Sequence, residues 1–508
     1  MNKWNEEFFE RFKFEGLAFN DVLLKPQKSS AIPRDVDLTT MLSTNIPLNI
    51  PLVSADMDTV TDYRMARAMA MAGGIGFLWR SSAKNQEDWV DRVKYTFNAK
   101  IDKPITIRED QTLDDVTKKL AEYDNRFSSL VVVNSDGKVI GLVTDQETRF
   151  ADKKDKIKDF MVKKPVTSEK DFDISQAYKF MKKRRIGKLI LVNPDGTLRG
   201  LYCWKDVKDM MEDETSVYNR DERGQLRVGA NIGVRDYKRA ERLLRKHCDV
   251  LLVGTAHGHS KNVIDTARRI KRLKETVGEL KRSFSQYEFD IIAGNVATYE
   301  GAKELYQAGA DAVKVGVGPG SICTTRVISG VGIPQITAIY EASKAAAEFD
   351  RPLIADGGIK YSGDVAKAMA ARGDSVMIGG LFAGTVESPG EIVHIKGKRY
   401  KDYRGMGSLG AMASSRHSKE RYKQKGAEKL VPEGVEGVVP LTGPVDDLIF
   451  YLLGGLRSGM GYVGAHNIKE LQQKGEFIRI SSAGVQESHP HDIIVTKEAP
   501  NYQTGGGK

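Results

Sequence analysis

Eight short apolar runs, separated by stretches of helical periodicity, constrain this chain more than any other feature. They read IPLVSA (50–55), GIGFLW (74–79), LRVGANI (226–232), DVLLVG (249–254), FDIIAGN (289–295), AVKVGVG (312–318), PLIADGG (352–358) and SVMIGG (375–380). A strand with one wet face alternates apolar and polar residues. These runs do not, so both faces are expected to be buried, as in a parallel sheet covered by helices. Segments such as TARRIKRLKETV and GAKELYQAG supply the amphipathic helices between them. Eight strand-helix units predict an α/β chain folded as a (β/α)8 TIM barrel. The alternative is an open doubly wound sheet, but no Gly-x-Gly-x-x-Gly opens a first unit with an acid about twenty residues on.

A repeat interrupts the series after the second unit. SSLVVVNSDGKVIGLVTDQE (128–147) returns as GKLILVNPDGTLRGLYCWKD (187–206), with Asn134, Asp136, Gly137 and Gly141 matching Asn193, Asp195, Gly196 and Gly200 at an offset of 59 residues. Each copy is a strand, an Asp-Gly turn and a second strand, a hairpin signal, and the helical patterns LDDVTKKLAEY and ISQAYKFMKKR precede them. The arrangement resembles a tandem CBS (Bateman) pair, a module that binds adenine or guanine nucleotides in some proteins and serves as a spacer in others. The expected organisation is therefore a first barrel part at 1–97, the CBS pair at 98–213, and a second barrel part at 214–508.

Composition sets the surroundings. A chain of 508 residues with 40% hydrophobic content supports a large core and more than one domain. Its three cysteines, Cys203, Cys248 and Cys323, have no paired spacing, so neither a disulfide framework nor a zinc site is expected, and a reducing, cytoplasmic setting is. The start, MNKWNEEFFERF, is charged, and no apolar run reaches bilayer length, so no membrane association is expected. The net charge of +10 comes from Lys and Arg interleaved with acids, which reads as a solvated surface with an anionic small-molecule ligand and no required nucleic acid.

In a barrel the carboxyl ends of the strands carry the chemistry, and three consecutive ends here are glycine-rich: GVGPGSIC, DGGI and GGLFAG. Glycine lets backbone N–H groups approach a phosphate, so Ser321, Gly358, Gly379 and Gly380 are expected to converge on one. Asp356 then stands where ribose hydroxyls would donate to it. Cys323 stands beside this cradle; by itself a lone cysteine reads as a small buried hydrophobe, which is what Cys203 and Cys248 are expected to be.

The stretches SADMDTVT, GVGPGSICTTRVISGVGIPQ, ADGGIKYSGD, YRGMGSLGAM, VPEGVEG and ESHPHDI closely resemble the inosine 5′-monophosphate dehydrogenase family and its near relatives, the GMP reductases, over residues from about 16 to about 500. The resemblance implies oxidation of IMP to XMP with NAD⁺ in guanine nucleotide biosynthesis. Cys323 would add to C2 of the purine, and Arg421 and Tyr422, on a flap at about 399–437, would release product with help from Thr325 and Glu433. It also implies substrate contacts from Ser54, Met57, Tyr403, Gly405, Met406, Gly407 and Glu433, and cofactor contacts from Gly254, Thr255, Asn295, Gly316, Thr325 and Arg326. A potassium ion would lie among the carbonyls of Gly316, Gly318 and Cys323 and, from a neighbouring subunit, Glu487, Ser488 and His489. Such sharing implies a homotetramer or an octamer.

Two positions depart from the family pattern. Gly254 stands where an acid usually holds the nicotinamide ribose hydroxyls, so weaker NAD binding or altered cofactor preference is expected, and Gly254→Asp is expected to improve binding. Trp79 and Arg80 replace a common His-Lys pair. A CBS-containing GMP reductase, acting on GMP with NADPH, and a non-catalytic nucleotide sensor are the alternative functions.

Overall fold

The computed structural model describes residues 3–13, 15–96, 100–101, 104–121, 129–212, 217–277, 289–422, 429–497 and 499–502. All eight expected runs form barrel strands: β1 (Leu52–Ser54), β2 (Ile75–Leu78), β3 (Gly229–Asn231), β4 (Val250–Gly254), β5 (Asp290–Val296), β6 (Ala312–Val315), β7 (Leu353–Asp356) and β8 (Ser375–Ile378). Neighbours run parallel, and β1 pairs with both β2 and β8, which closes the barrel and leaves it no edge. Helices α1 (Tyr63–Met71), α2 (Ala83–Lys94), α3 (Tyr237–Arg245), α4 (Lys261–Val277), α5 (Tyr299–Gln307), α6 (Gln335–Phe349), α7 (Ser362–Ala370) and α8 (Val445–Val463) follow the strands.

Burial on both faces explains the unbroken apolar runs, since every residue of β4 and of β5 is buried. At the amino ends of the strands an aspartate repeatedly satisfies a neighbour's backbone: Asp249 accepts from Val228 N, Asp311 from Ile291 N and Asp374 from Leu353 N, at 2.8–2.9 Å. Lys314 breaks the apolar pattern, being fully buried inside β6. A lysine at such depth requires acids nearby, and these lie at the carboxyl end, where the site is built.

Past β8 a three-stranded antiparallel sheet (Ile392–Ile395, Lys398–Arg404, Glu436–Pro440) and two short helices (Leu409–Ser414, Arg416–Arg421) occupy the stretch in which a flap is expected. Residues 423–428 of the flap lie outside the described residues.

A second compact unit comprises Arg92–Ser216 with Arg220–Leu226, somewhat wider than the expected 98–213 because the return segment joins it. Within it Ser129–Val133 and Val139–Thr144 form one hairpin, Lys188–Val192 and Leu198–Cys203 the other, and the 59-residue offset is preserved in both. A preceding strand lies parallel to each hairpin, Thr106–Arg108 in the first copy and Thr167–Ser168 in the second. Val131 and Leu142 of one copy pack with Ile190 and Leu201 of the other in a shared core. The two hairpin tips meet through Val139 N to Gly196 O at 3.0 Å.

Candidate active site at the barrel mouth

The cysteine loop leaves β6 through Gly316 and Gly318, at φ of 147° and 80°. Glycine is required at Gly316, where a Cβ would meet Asp356 O at 2.1 Å. Arg326, expected beside the nicotinamide, instead ties the loop: its Nε donates to Val317 O (3.0 Å) and its Nη2 to Ile333 O (2.6 Å), and Gly318 and Gly332 pack against its stem. Five donors in a rigid fork suit a guanidinium to clamping loop carbonyls. Thr324 N donates to Glu433 O (3.0 Å), Val435 N to Ile322 O (3.0 Å) and Gly405 N to Val435 O (2.9 Å). This ladder fixes Cys323 beside Glu433 and the Gly405–Met406 turn. Cys323 Sγ donates to Thr325 Oγ1 at 3.1 Å.

Of the four residues expected to converge, Ser321, Gly379 and Gly380 lie together, whereas Gly358 does not join them. A Cβ on Gly379 would lie 3.1 Å from Tyr403 Oη and 3.2 Å from Met57 Sδ, and one on Gly380 would lie 3.2 Å from Ser321 Oγ. Ser321, Gly379, Gly380 and Tyr403 thus share one point at the ends of β6 and β8. Burial pushes the Tyr403 phenol up to about 12 against the hydrogen bond it makes with Ser321, so it remains a neutral donor. Gly358 is a left-handed turn residue (φ 87°) facing Phe19 and Pro319.

Two cavities lie at this end. The smaller, about 120 Å³, is lined by Cys323, Thr325 and Glu433 together with Met57, Asp356, Tyr403, Gly405 and Met406, and by Arg421 and Tyr422 from the flap. The larger, about 660 Å³, is lined by Asp56, Arg80, Arg235, Gly254, Thr255 and Arg421 among others. The Tyr422 ring rests on Gly407, where a Cβ would come within 2.6 Å of it. Burial raises Tyr422 to about 12.

Buried charge organises the floor. Lys314 Nζ donates to Asp356 Oδ2 and lies 3.6 Å from Asp56 Oδ1. Asn295 Nδ2 donates to the same Asp356 oxygen (2.8 Å) and to Gly316 O (2.8 Å). Asp56 Oδ2 accepts from Asn231 Nδ2 and from Arg421 Nη1, the latter at 2.7 Å. Burial opposes the Asp56 charge, but Arg421, Lys314 and Asn231 outweigh it and hold the carboxyl down to about 2. Burial likewise opposes the Arg421 charge, and Asp56 more than offsets this, holding the guanidinium above its usual value. Arg421 therefore keeps its proton in this arrangement.

The remaining expected residues are placed as follows. Ser54 is buried within β1 and accepts from Thr61 Oγ1 (2.9 Å), so its hydroxyl is committed to the barrel wall. Thr255 lines both cavities and donates to Gly294 O. Gly254 lines the larger cavity. Ser488 Oγ donates to Gly484 O, and His489 Nδ1 lies 2.8 Å from Tyr502 Oη. Cys203 and Cys248 are buried and form no disulfide, as expected. Sequence reading missed Asp56, Asn231 and Lys314. The lysine carried a signal, a charge inside an apolar run, but its partners lie on other strands of the barrel.

Both cavities offer a donor set that fits a dinucleotide beside a nucleotide. Arg80 and Arg235 line the larger cavity, where Arg80 is paired with Asp236 and Glu420 and Arg235 Nη2 donates to Asn262 Oδ1; Asp56 is an acceptor there, and Asn295 Oδ1, beside the smaller cavity, is buried without a hydrogen-bond partner among the described residues.

Comparison with known proteins agrees with this geometry. The family model described as "IMP dehydrogenase / GMP reductase domain" matches residues 16–491. The chain is similar to inosine-5′-monophosphate dehydrogenase of Aquifex aeolicus, 49% identical, with 96% of this chain and 98% of the relative covered. It is also similar to the enzyme of that name from Bacillus subtilis, 46% identical, with 97% and 99% covered. Among solved structures, a cysteine-to-alanine variant of GMP reductase from Trypanosoma brucei in complex with guanosine 5′-monophosphate superposes with a TM-score of 0.86 at 38% identity, covering 94% of this chain and 98% of that one.

Proposed function

Because the chain belongs to the IMP dehydrogenase / GMP reductase family, we propose that it oxidises IMP to XMP with NAD⁺, the oxidation that supplies guanine nucleotide synthesis. The Cys323 thiolate adds to C2 of the hypoxanthine while the Ser321, Gly379, Gly380 and Tyr403 cradle holds the phosphate and Asp356 the ribose. Fixing the nucleotide this way makes the attack effectively intramolecular. NAD⁺ bound in the larger cavity would accept the hydride that leaves C2. The thioimidate left on Cys323 is then cleaved by water: oxygen adds to C2, the C2–S bond breaks, and a proton is released.

The observation that carries dehydrogenase over reductase is the placement of Arg421 and Tyr422, both partly buried, in the lining of the cysteine cavity. A hydrolytic half-reaction needs groups there to orient water, and a reductase has no such step. With Asp56 holding Arg421 charged, the arginine orients and polarises the water, and the proton passes toward Thr325 and Glu433. Arg421→Ala is expected to leave the first burst of NADH nearly intact and to slow steady-state turnover about 10²- to 10⁴-fold, with the adduct on Cys323 visible by mass spectrometry of quenched enzyme. Unchanged steady-state turnover of IMP without adduct would take the hydrolytic role from Arg421, whereas oxidation of NADPH with GMP and no reduction of NAD⁺ with IMP would favour the reductase reading, which has in its support the likeness to the Trypanosoma brucei enzyme.

We further assign a potassium ion to the carbonyls of Gly316, Gly318 and Cys323, completed by Glu487, Ser488 and His489 of a neighbouring subunit, and with it a homotetramer or octamer in the cytoplasm. Carbonyl oxygens at glycine-rich turns suit a hard cation. The inserted unit is read as a CBS pair regulating the barrel through bound adenine or guanine nucleotides.

A further inference from the structure

Gly254 ends β4 at the place where the family resemblance expects an acid, yet a carboxylate does stand there. A Cβ built on Gly254 lies 3.2 Å from Asp56 Oδ2 and 2.6 Å from Asn231 Nδ2. The acid arrives from the end of β1, across the barrel mouth, and fills the space that a side chain at 254 would need. Its orientation is fixed on two sides. Asn231 donates to Oδ2 while its own Oδ1 accepts from Gly233 N at 2.9 Å, and Lys314 stands 3.6 Å from Oδ1. Asp56 is only 1% exposed, and it lines the 660 Å³ cavity together with Gly254 and Thr255.

We propose that Asp56 takes the place of the acid missing at Gly254, accepting hydrogen bonds from the vicinal ribose hydroxyls on the nicotinamide side of NAD⁺. The proposal rests on the dehydrogenase reading. A carboxylate is the right group, since its oxygens accept only, while a 1,2-diol offers two donors at matching separation. Arg421 Nη1 sits 2.7 Å from the same oxygen, so the docked flap and the cofactor use the carboxylate in turn. The arginine must leave Oδ2 before a ribose hydroxyl reaches it.

The geometry reverses the expectation for Gly254→Asp. Restoring the acid at 254 while Asp56 remains brings a second carboxylate against the first and displaces Asn231, so cofactor binding should weaken. Moving the acid should work instead.

The test is calorimetric titration of NAD⁺ into the IMP-bound, non-turning Cys323→Ala/Arg421→Ala protein, in which the flap arginine no longer competes. Adding Asp56→Ala should weaken NAD⁺ binding by about tenfold or more, the loss expected for hydrogen bonds to a charged group. Asp56→Asn, which keeps the shape, should weaken it less, Gly254→Asp should also weaken it, and Asp56→Ala/Gly254→Asp should bind more tightly than either single change. Retained IMP binding in each variant reports that the site has folded. An NAD⁺ affinity indifferent to Asp56→Ala and Asp56→Asn, or a double variant no tighter than the singles, would overturn the proposal. Absence of NADH from wild-type enzyme with IMP and NAD⁺ would instead overturn the dehydrogenase reading itself.

Discussion

Lys314 is the residue around which the charge of the site is arranged. Enclosed in β6, it is set between Asp56 and Asp356 and pairs with both carboxylates. Lys314→Met should therefore lower the free energy of unfolding by roughly 3–5 kcal/mol, the cost of leaving buried charge uncompensated, as read from denaturant titration; a loss below 1 kcal/mol would mean that the acids find another partner. At Cys323 the expectation separates chemistry from binding. Cys323→Ala should abolish turnover and keep IMP affinity by calorimetry, because the cradle at Ser321, Gly379, Gly380 and Tyr403 is built without the sulfur. The glycine-rich loops and the cysteine beside them were legible in sequence because glycine spacing and a cysteine are local signals. The Asp56–Lys314–Asp356 chain was not, because its members are 258 and 42 residues apart and meet only when the barrel closes. Ser54 and Arg326 carry contacts that no local pattern announces, Ser54 with Thr61 and Arg326 with the carbonyls of Val317 and Ile333.

The helix Arg416–Arg421 docks by charge. Arg80 spans from Glu420 (2.9 Å) to Asp236 (3.1 Å), and His417 lies 3.3 Å from the buried Arg239 and within 4.0 Å of Glu420. Burial first, then the Arg80 and Arg239 charges, holds His417 down to about 4 against the facing Glu420 and Asp236. A histidine free of the site titrates near 6.5. Undocked flap therefore takes up a proton that docked flap refuses, and docking should weaken as pH falls from about 6.5 toward about 4. The protection of the 416–421 amides, corrected for the pH dependence of intrinsic exchange, should fall over that window, and His417→Ala should flatten the dependence. A flat wild-type profile would contradict the docked arrangement. From sequence alone SSRHSKERYKQKG is a basic, solvated run. What buries Arg421 and Tyr422 is an acid far away in the chain and a glycine at 407, so only the family resemblance pointed to them.

At the scale of the whole molecule the barrel was written plainly: buried parallel strands leave unbroken apolar runs, and all eight were found where those runs stand. The inserted unit was equally plain as a repeat, though its edges were not, because the return segment Arg220–Leu226 joins it through contacts that no local pattern announces. The unit has its own cores, one formed by both hairpins and one within each copy. Replacing residues 98–213 by a short linker should accordingly leave a folded barrel that still turns over IMP, and any effect of ATP or GTP on the full chain should vanish with the unit; loss of catalysis with substrate binding intact would place the unit in the active site. The central claim, that this barrel oxidises IMP, is tested most directly by absorbance at 340 nm with the purified chain. IMP and NAD⁺ should give a sustained rise that Cys323→Ala removes, whereas no rise with that pair and a fall with GMP and NADPH would contradict the account and assign the chain to the reductases.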